Sequence, residues 1–409
     1  MGSGASEKES LSSKRIKDLK LNLLLEVTKA INNNFSTEQL LDIFQNFVKD
    51  QLNIGKLLLF SNDSGWKCLL KYGVNEQEQT IDIEKDLIKV KEISTIDLYS
   101  KTPDNSFEII IPVLHKSEPL AFLLIGDLED KQEMSPAIKH LPFIQTLTNI
   151  IIVAIENKKL AKENIRQAAI KKELELASEM QSMLFPTKLP NNKYISMAAF
   201  YQPHTQVGGD YYDYIQLNEN ELVFCMADVS GKGVSAALLM SNFQANLRAL
   251  LNNTISLTDL VRELNSKVMG SAKGEKFITF FIAKYNVITK VLTYVNAAHN
   301  PPILANGNSI SLLKIGCTGL GMFDELEKVS EGIVNINTTS ILHCYTDGLV
   351  ELENEKGKEY GIDALKEIIK KNVKLNPAQL NKVIVEDVIR FKASKPYVDD
   401  IALLTCKIS

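Results

Sequence analysis

Apolar residues recur at helical spacing between positions 16 and 31, through Ile16, Leu19, Leu23, Leu24, Val27 and Ile31, and predict a first helix. Ser36 is placed to cap a second helix that runs through Leu40, Leu41, Phe44, Phe47 and Val48. Strand-like segments follow at 56–60, 66–72, 107–114 and 121–127, with Asn62-Asp63-Ser64-Gly65 as a hairpin turn between the first two. A further helix is expected from about Pro136 through Ile155. Helices at both ends of a small antiparallel sheet make an α+β domain. Residues 1–15 are polar, lack this pattern and are expected to be disordered.

The exit helix is expected to continue. Residues 156–184 contain no Gly or Pro and carry an imperfect apolar stripe of Leu160, Ile165, Ala168, Ile170, Leu174, Ala177, Met180 and Leu184. Strict heptads are not sustained, so the segment reads either as a solvated connector or as a dimer-forming, coiled-coil-like linker that joins an input domain to an output domain. Phe185-Pro186 ends it. The remaining chain is rich in strands, at 194–202, 211–217, 221–228, 277–286, 291–297, 302–305, 332–337, 340–345 and 401–408. Helices are predicted at 234–251, 257–269, 362–371 and 377–392, the last opened by Asn376-Pro377. Many antiparallel strands with helices outside predict a layered α+β sandwich.

Composition narrows the function classes. A net charge of −4 leaves no basic footprint for nucleic acid. No apolar run approaches membrane-spanning length, and the start has no secretory pattern, so a cytoplasmic location is expected. The five cysteines, Cys68, Cys225, Cys317, Cys344 and Cys406, are scattered and form no CxxC pair, which predicts reduced, buried thiols.

The chemistry concentrates in four acidic motifs of the C-terminal half. Asp210 follows Gly208-Gly209 and opens a strand; Asp228 ends an apolar strand before Val229-Ser230-Gly231-Lys232-Gly233. Asp347 follows a second apolar strand, and Asp399-Asp400 precede the last one. Carboxylates brought to one edge of a sheet repel each other unless a cation lies between them, and hard divalent cations prefer such all-oxygen sites. Convergence would make a two-metal site suited to hydrolysis of a phosphate ester.

These motifs also carry a family resemblance. Val207-Gly208-Gly209-Asp210-Tyr211-Tyr212-Asp213, Asp228-Val229-Ser230-Gly231-Lys232-Gly233, Asn296-Ala297-Ala298-His299-Asn300-Pro301-Pro302, Thr346-Asp347-Gly348 and Asp399-Asp400 occur in order. They are preceded by a leading helix that ends in Leu184-Phe185-Pro186. The chain from about Glu173 resembles a metal-dependent protein phosphatase of the PPM (PP2C-like) superfamily, in its bacterial SpoIIE/RsbU-type branch. One departure is Ala298, where that branch usually has glycine. The first part of the chain is similar in element order to a GAF domain.

The resemblance implies the following organisation: 1–15 disordered, 16–155 a GAF-like sensor, 156–190 a helical linker and 191–409 the phosphatase domain, an α-β-β-α sandwich. It implies two Mn2+ or Mg2+ ions. Asp228 would bridge them, with help from the Val229 carbonyl, while Asp347 and Asp399 hold one ion and Asp210 the other or its waters. Asp400 is the reserve for Asp399, and Asp213, Gly209 and Gly348 are expected to support the ligands. The nucleophile would be a hydroxide bridging the ions, not a side chain. The implied substrate is phosphoserine or phosphothreonine on a regulatory protein, with a STAS-type anti-sigma-factor antagonist as the expected partner. Homodimerisation through the sensor and linker, and a small-molecule or protein input at the sensor, complete the expectation.

Alternatives remain at this level. The chain could be a non-catalytic dimeric scaffold with a decayed phosphatase fold, or a metal-dependent phosphodiesterase. His299 reads as a structural loop residue, and His204 lies closer to the first acidic motif. His115 and Cys68 are the available ligand-type residues of the first domain, and both read as structural. Eukaryotic-type members grip phosphate with an arginine near the first motif, whereas residues 197–206 contain none, which leaves Lys232 as a possible substitute.

Overall fold

The computed structural model describes residues 3–52, 54–63, 65–74, 81–95, 107–115, 117–128, 140–306 and 309–409. Two compact units divide the chain, Met1–Ala168 and Ala169–Ser409.

The first unit begins with α1 (Ser3–Asn32) and α2 (Thr37–Leu52). Strands β1 (Ile54–Asn62) and β2 (Trp66–Tyr72) follow, then α3 (Ile83–Asp86), β3 (Ser94–Thr95), β4 (Phe107–His115) and β5 (Glu118–Leu128). They form an antiparallel sheet in the order β2-β1-β5-β4-β3. Period-two alternation gives the sheet two apolar faces. Leu57, Leu59, Ile111, Leu123 and Ile125 pack with Val27, Phe44, Val48, Ile144, Leu147 and Ile151 of the helices. Leu58, Phe60, Ile110, Phe122 and Leu124 pack with Ile83, Leu87 and Val90. Ser36 caps α2 in both directions: the Gln39 amide donates to its Oγ at 3.1 Å, and its own amide donates to Gln39 Oε1 at 2.8 Å.

The polar start departs from expectation. Helix α1 reaches back to Ser3, across most of the stretch expected to be disordered. Extending an existing helix avoids the cost of nucleation, and the segment has no proline to stop it. At the other end of the unit, the expected helix start at Pro136 lies outside the described residues, and α4 runs from Leu141 to Ser182 as one helix. Ile144, Leu147, Ile151 and Ile152 bury its first turns, whereas Leu160, Ile165, Ile170 and Met180 are exposed.

The second unit has four layers. One sheet contains β7 (Tyr211–Gln216), β8 (Glu221–Val229), β9 (Ile278–Asn286), β10 (Val291–Ala297), β13 (Gly316–Cys317) and β14 (Gly332–Asn335). The other contains β6 (Ile195–Gln202), β11 (Ile303–Asn306), β12 (Ser309–Leu312), β15 (Ser340–Tyr345) and β16 (Ile401–Ile408), in the order β12-β11-β15-β16-β6. Their inner faces share a core that includes Leu222, Phe224, Met226, Phe281, Leu342, Cys344, Leu404 and Cys406. Helices α5 (Val234–Leu250) and α6 (Leu257–Ala272) cover the outer face of the first sheet through Met240, Phe243, Leu260 and Leu264. A short α7 (Asp347–Val350) follows β15, and α8 (Ile362–Lys371) and α9 (Pro377–Lys392) cover the second sheet through Leu365, Ile369, Leu380 and Ile384. The result is the expected α-β-β-α sandwich. Asn376 caps α9 with a capping box to Gln379. Strands β3, β12 and β13, and helices α3 and α7, are too short to show a period in the sequence.

Cys225, Cys344 and Cys406 are buried free thiols as expected; Cys317 is half-buried and Cys68 is exposed.

Candidate metal centre

Strand register delivers the acids to one end of the sandwich. Tyr211 pairs with Ala227, so Asp210 and Asp228 leave adjacent strands side by side. Tyr345 pairs with Leu403, which brings Asp347 after β15 beside Asp399 and Asp400 before β16. Asp228 itself pairs with Thr279 on β9.

Asp210 is buried, and its Oδ2 accepts a 2.6 Å hydrogen bond from the Thr346 hydroxyl. Thr346 Oγ1 in turn accepts from the Ala402 amide at 2.9 Å, so one buried hydroxyl ties β15, β16 and the first acidic loop together. Asp228 and Asp347 are half-buried. Burial, then the charge of Asp228, then those of Asp400 and Asp347 hold the Asp210 carboxyl well above the usual range, against the opposing Thr346 bond. Burial and the charges of Asp347, Asp399 and Asp400 push Asp228 up to about 7. Burial and Asp399 raise Asp347. Asp210 therefore feels the charges of Asp228 and Asp347, and Asp228 those of Asp347 and Asp399, while a hydrogen bond with Asp210 lowers Asp228 in part.

Asp399 and Asp400 have different surroundings. Asp400 is buried, and both of its oxygens are engaged: Oδ1 accepts from the His204 amide at 2.7 Å and Oδ2 from the Gly209 amide at 2.6 Å. Asp399 is half-buried; its Oδ1 accepts from the Asp400 amide at 2.9 Å, and its Oδ2 meets Lys232 Nζ at 2.8 Å. The two glycines expected to support the ligands sit at close approaches. A Cβ on Gly348 would lie 2.1 Å from the Asp400 carbonyl oxygen, and one on Gly209 would lie 3.0 Å from the Val229 carbonyl oxygen.

Other candidates fall elsewhere. Asp213 is fully buried in a separate network, where Arg248 Nε and Nη2 donate to it at 2.7 and 2.8 Å and the Tyr211 hydroxyl donates to Oδ2. The His204 side chain is exposed. His299 is buried, hydrogen-bonded through Nδ1 to Thr279 Oγ1 at 2.8 Å, and burial pushes its pKa down to about 3. Cys68 and His115 are both exposed.

Sequence reading missed three contributors. Thr346 is one. Gln181, near the end of α4, is another: its Nε2 donates to the Gly208 carbonyl at 2.7 Å and its Oε1 accepts from the Gly208 amide at 3.1 Å. The third is Tyr201, whose buried hydroxyl has no hydrogen-bond partner among the described residues and lies in the field of Asp400, Asp210 and Asp228.

The donor set suits hard divalent cations: clustered carboxylates, a backbone carbonyl nearby and a buried hydroxyl without a partner among the described residues. Among the described residues, no three Asp, Glu, His or Cys side chains are already closed around one ion position. Strand register thus places the acids at one end of the sandwich without closing them into a cage.

A family profile described as "Stage II sporulation protein E (SpoIIE)" matches residues 218–409. Phosphoserine phosphatase RsbU of Bacillus subtilis (strain 168) is 26% identical over 243 residues, which cover 59% of this chain and 71% of that protein. Protein IcfG of Synechocystis sp. is 22% identical over 322 residues, 72% of this chain and 50% of that protein. Phosphoserine phosphatase RsbP of Bacillus subtilis is 26% identical over 186 residues, 44% of this chain and 46% of that protein. In fold, the SiaA-PP2C domain of Pseudomonas aeruginosa superposes with a TM-score of 0.54 at 17% identity, covering 60% of this chain and 99% of that domain. The profile match falls within the C-terminal unit, whose sandwich has a PP2C-like fold.

Proposed function

We propose that this chain is a metal-dependent protein serine/threonine phosphatase that acts on a phosphorylated regulatory protein under control of its N-terminal unit. One observation carries the reading: strand register brings Asp210 beside Asp228 and Asp347 beside Asp399 at one end of the sandwich, where Asp210 feels the charges of Asp228 and Asp347, and Asp228 those of Asp347 and Asp399. Asp228, Asp347 and Asp399 would hold two divalent ions, Mn2+ or Mg2+, with Asp210 and the Val229 carbonyl completing the set. When bound, such ions lower the pKa of water and neutralise charge on the phosphoryl group.

The protein's own residues prepare that chemistry. Thr346 orients Asp210 through its hydroxyl. Asp400 fixes the 204–209 loop through two amides and so sets where Asp210 leaves the backbone. Preorganised charge of this kind removes reorganisation cost from the hydrolytic step, in which water displaces the serine or threonine oxygen from phosphorus.

The remaining parts of the reading extend it. The substrate is an anti-sigma-factor antagonist of STAS type; two relatives carry the name phosphoserine phosphatase. The N-terminal unit is a GAF-like sensor that takes a small molecule or protein as input. It dimerises together with the exposed apolar positions Leu160, Ile165, Ile170 and Met180 of α4. Control reaches the acids through Gln181, because a shift of the last turn of α4 moves Gly208 and the loop before Asp210. The chain works in the cytoplasm; no helix among the described residues is long and apolar enough to cross a membrane.

The test is hydrolysis of p-nitrophenyl phosphate and of a phosphoserine protein with and without Mn2+. Activity is expected to require Mn2+ and to vanish in Asp228→Asn. Activity indifferent to both Mn2+ and Asp228→Asn, or none under any metal, would sink the proposal in favour of a non-catalytic scaffold. A chain beginning at Lys171 with unchanged activity and Mn2+ dependence would remove the control by the N-terminal unit.

A further inference from the structure

Lys232 hangs between Gly231 and Gly233, both at positive φ (83° and 75°), on the loop that joins Asp228 to α5. Its Nζ stands 2.8 Å from Asp399 Oδ2 and also donates to the Val398 carbonyl. Both partners remain partly open to solvent, Lys232 at 48% and Asp399 at 36% of side-chain area. The charge of Lys232 also reaches Asp347, where it offsets part of the rise imposed by burial and Asp399. An ammonium therefore sits on a carboxylate that the proposed function assigns to a divalent ion.

We propose that Lys232 is a tethered cation that leaves Asp399 when a divalent ion takes that carboxylate, and then pairs with the phosphoryl oxygens of the substrate. The inference rests on the phosphatase reading and assigns it a phosphate-gripping residue. Two cations cannot share one carboxylate oxygen without repelling each other, and a divalent ion is attracted about twice as strongly as an ammonium at equal distance. Release is easy for a lysine, whose flexible stem carries three rotatable donors and holds no fixed fork geometry. The freed ammonium stays near Asp399 and Asp347, anchored by its short loop. A phosphomonoester brings two negative charges to that place. No arginine in 197–206 is available for the same task.

The exchange makes opposite demands on one side chain, which a merely structural lysine would not. The variants are Lys232→Met, which keeps the stem and removes the charge, and Lys232→Arg, which keeps the charge. Mn2+ binding to the full chain is read by electron paramagnetic resonance of free Mn2+, without substrate. Steady-state kinetics with p-nitrophenyl phosphate follow at saturating Mn2+.

The expected result for Lys232→Met is Mn2+ bound about threefold or more tightly, as the loss of an exposed competing ion pair allows. KM is expected to rise about tenfold, as for a lost charged contact to substrate. Lys232→Arg is expected to restore KM in part. Mn2+ affinity unchanged or weakened in Lys232→Met overturns the exchange, and so does an unchanged KM. Failure of the phosphatase reading shows differently, as a wild-type chain that binds Mn2+ and hydrolyses no phosphomonoester.

Discussion

Asp400 Oδ2 accepts a 2.6 Å hydrogen bond from the amide of Gly209, a residue 191 positions earlier in the chain. With the His204 amide on Oδ1, this carboxylate is spent on holding a loop. Its neighbour Asp399 offers Oδ2 to Lys232 near the surface. The adjacent acids therefore divide their work. Asp400→Ala should destabilise the C-terminal unit by about 3 kcal/mol, since it strips two buried amides of a charged acceptor. Asp399→Asn should leave stability within about 0.5 kcal/mol and weaken Mn2+ binding about tenfold or more. Chemical denaturation beside Mn2+ titration of both variants measures the split; loss of Mn2+ binding in the stably folded Asp400→Ala alone would reverse the assignment.

Arg248 reaches from α5 to the fully buried Asp213 with two donors, and Tyr211 adds a third. Removal of the arginine leaves a buried carboxylate without its counter-charge. Arg248→Ala should cost about 3 kcal/mol, at the low end for a broken buried pair because Arg248 itself is half-exposed. Adding Asp213→Asn should recover part of that loss. Urea denaturation of the two single variants and the double variant tests the coupling.

Ala298 stands where the resembled branch usually has glycine, and its φ is +54°. A Cβ in that region is strained, and the residue is exposed, so its methyl buries little. Ala298→Gly should stabilise the unit by about 1 kcal/mol, a gain of about 2 °C in Tm. A lower Tm would show that the methyl packs favourably.

His343 lies fully buried on β15 with Nδ1 against Thr405 Oγ1 at 2.7 Å, and burial pushes its pKa down to about 3. The folded state keeps the ring neutral while the unfolded chain protonates it below about 6.5. Stability from this residue is therefore complete above pH 6.5 and is lost progressively as pH falls toward 3. Between pH 7.5 and 5 the loss should be about 2 kcal/mol, and His343→Gln should flatten that part of the profile. A wild-type profile as flat as that of the variant would count against it.

Much of the second unit was legible because its strands alternate and its acids sit at strand ends beside glycine. Leu222, Phe224 and Met226 face one core while Val223, Cys225 and Ala227 face another, a pattern that period two reveals directly. The last strand was equally plain, with Ile401, Leu403, Leu404, Cys406 and Ile408 buried. The roles of Gln181 and Thr346 were not legible. Each acts through a hydrogen bond to a residue 27 or 136 positions away, and local periodicity holds no trace of such a pairing. The start of α1 was misjudged for the opposite reason, since polar composition argued for disorder where helix propagation prevailed.

By itself, the sequence determined the layers of the sandwich and the identity of its acids, because burial period and turn chemistry are local properties. Only the tertiary structure decided which acid is buried on backbone amides and which meets a lysine near the surface. Asp399 and Asp400 are neighbours in the chain with the same side chain, and what separates them is the set of distant amides and the lysine that folding brings against each.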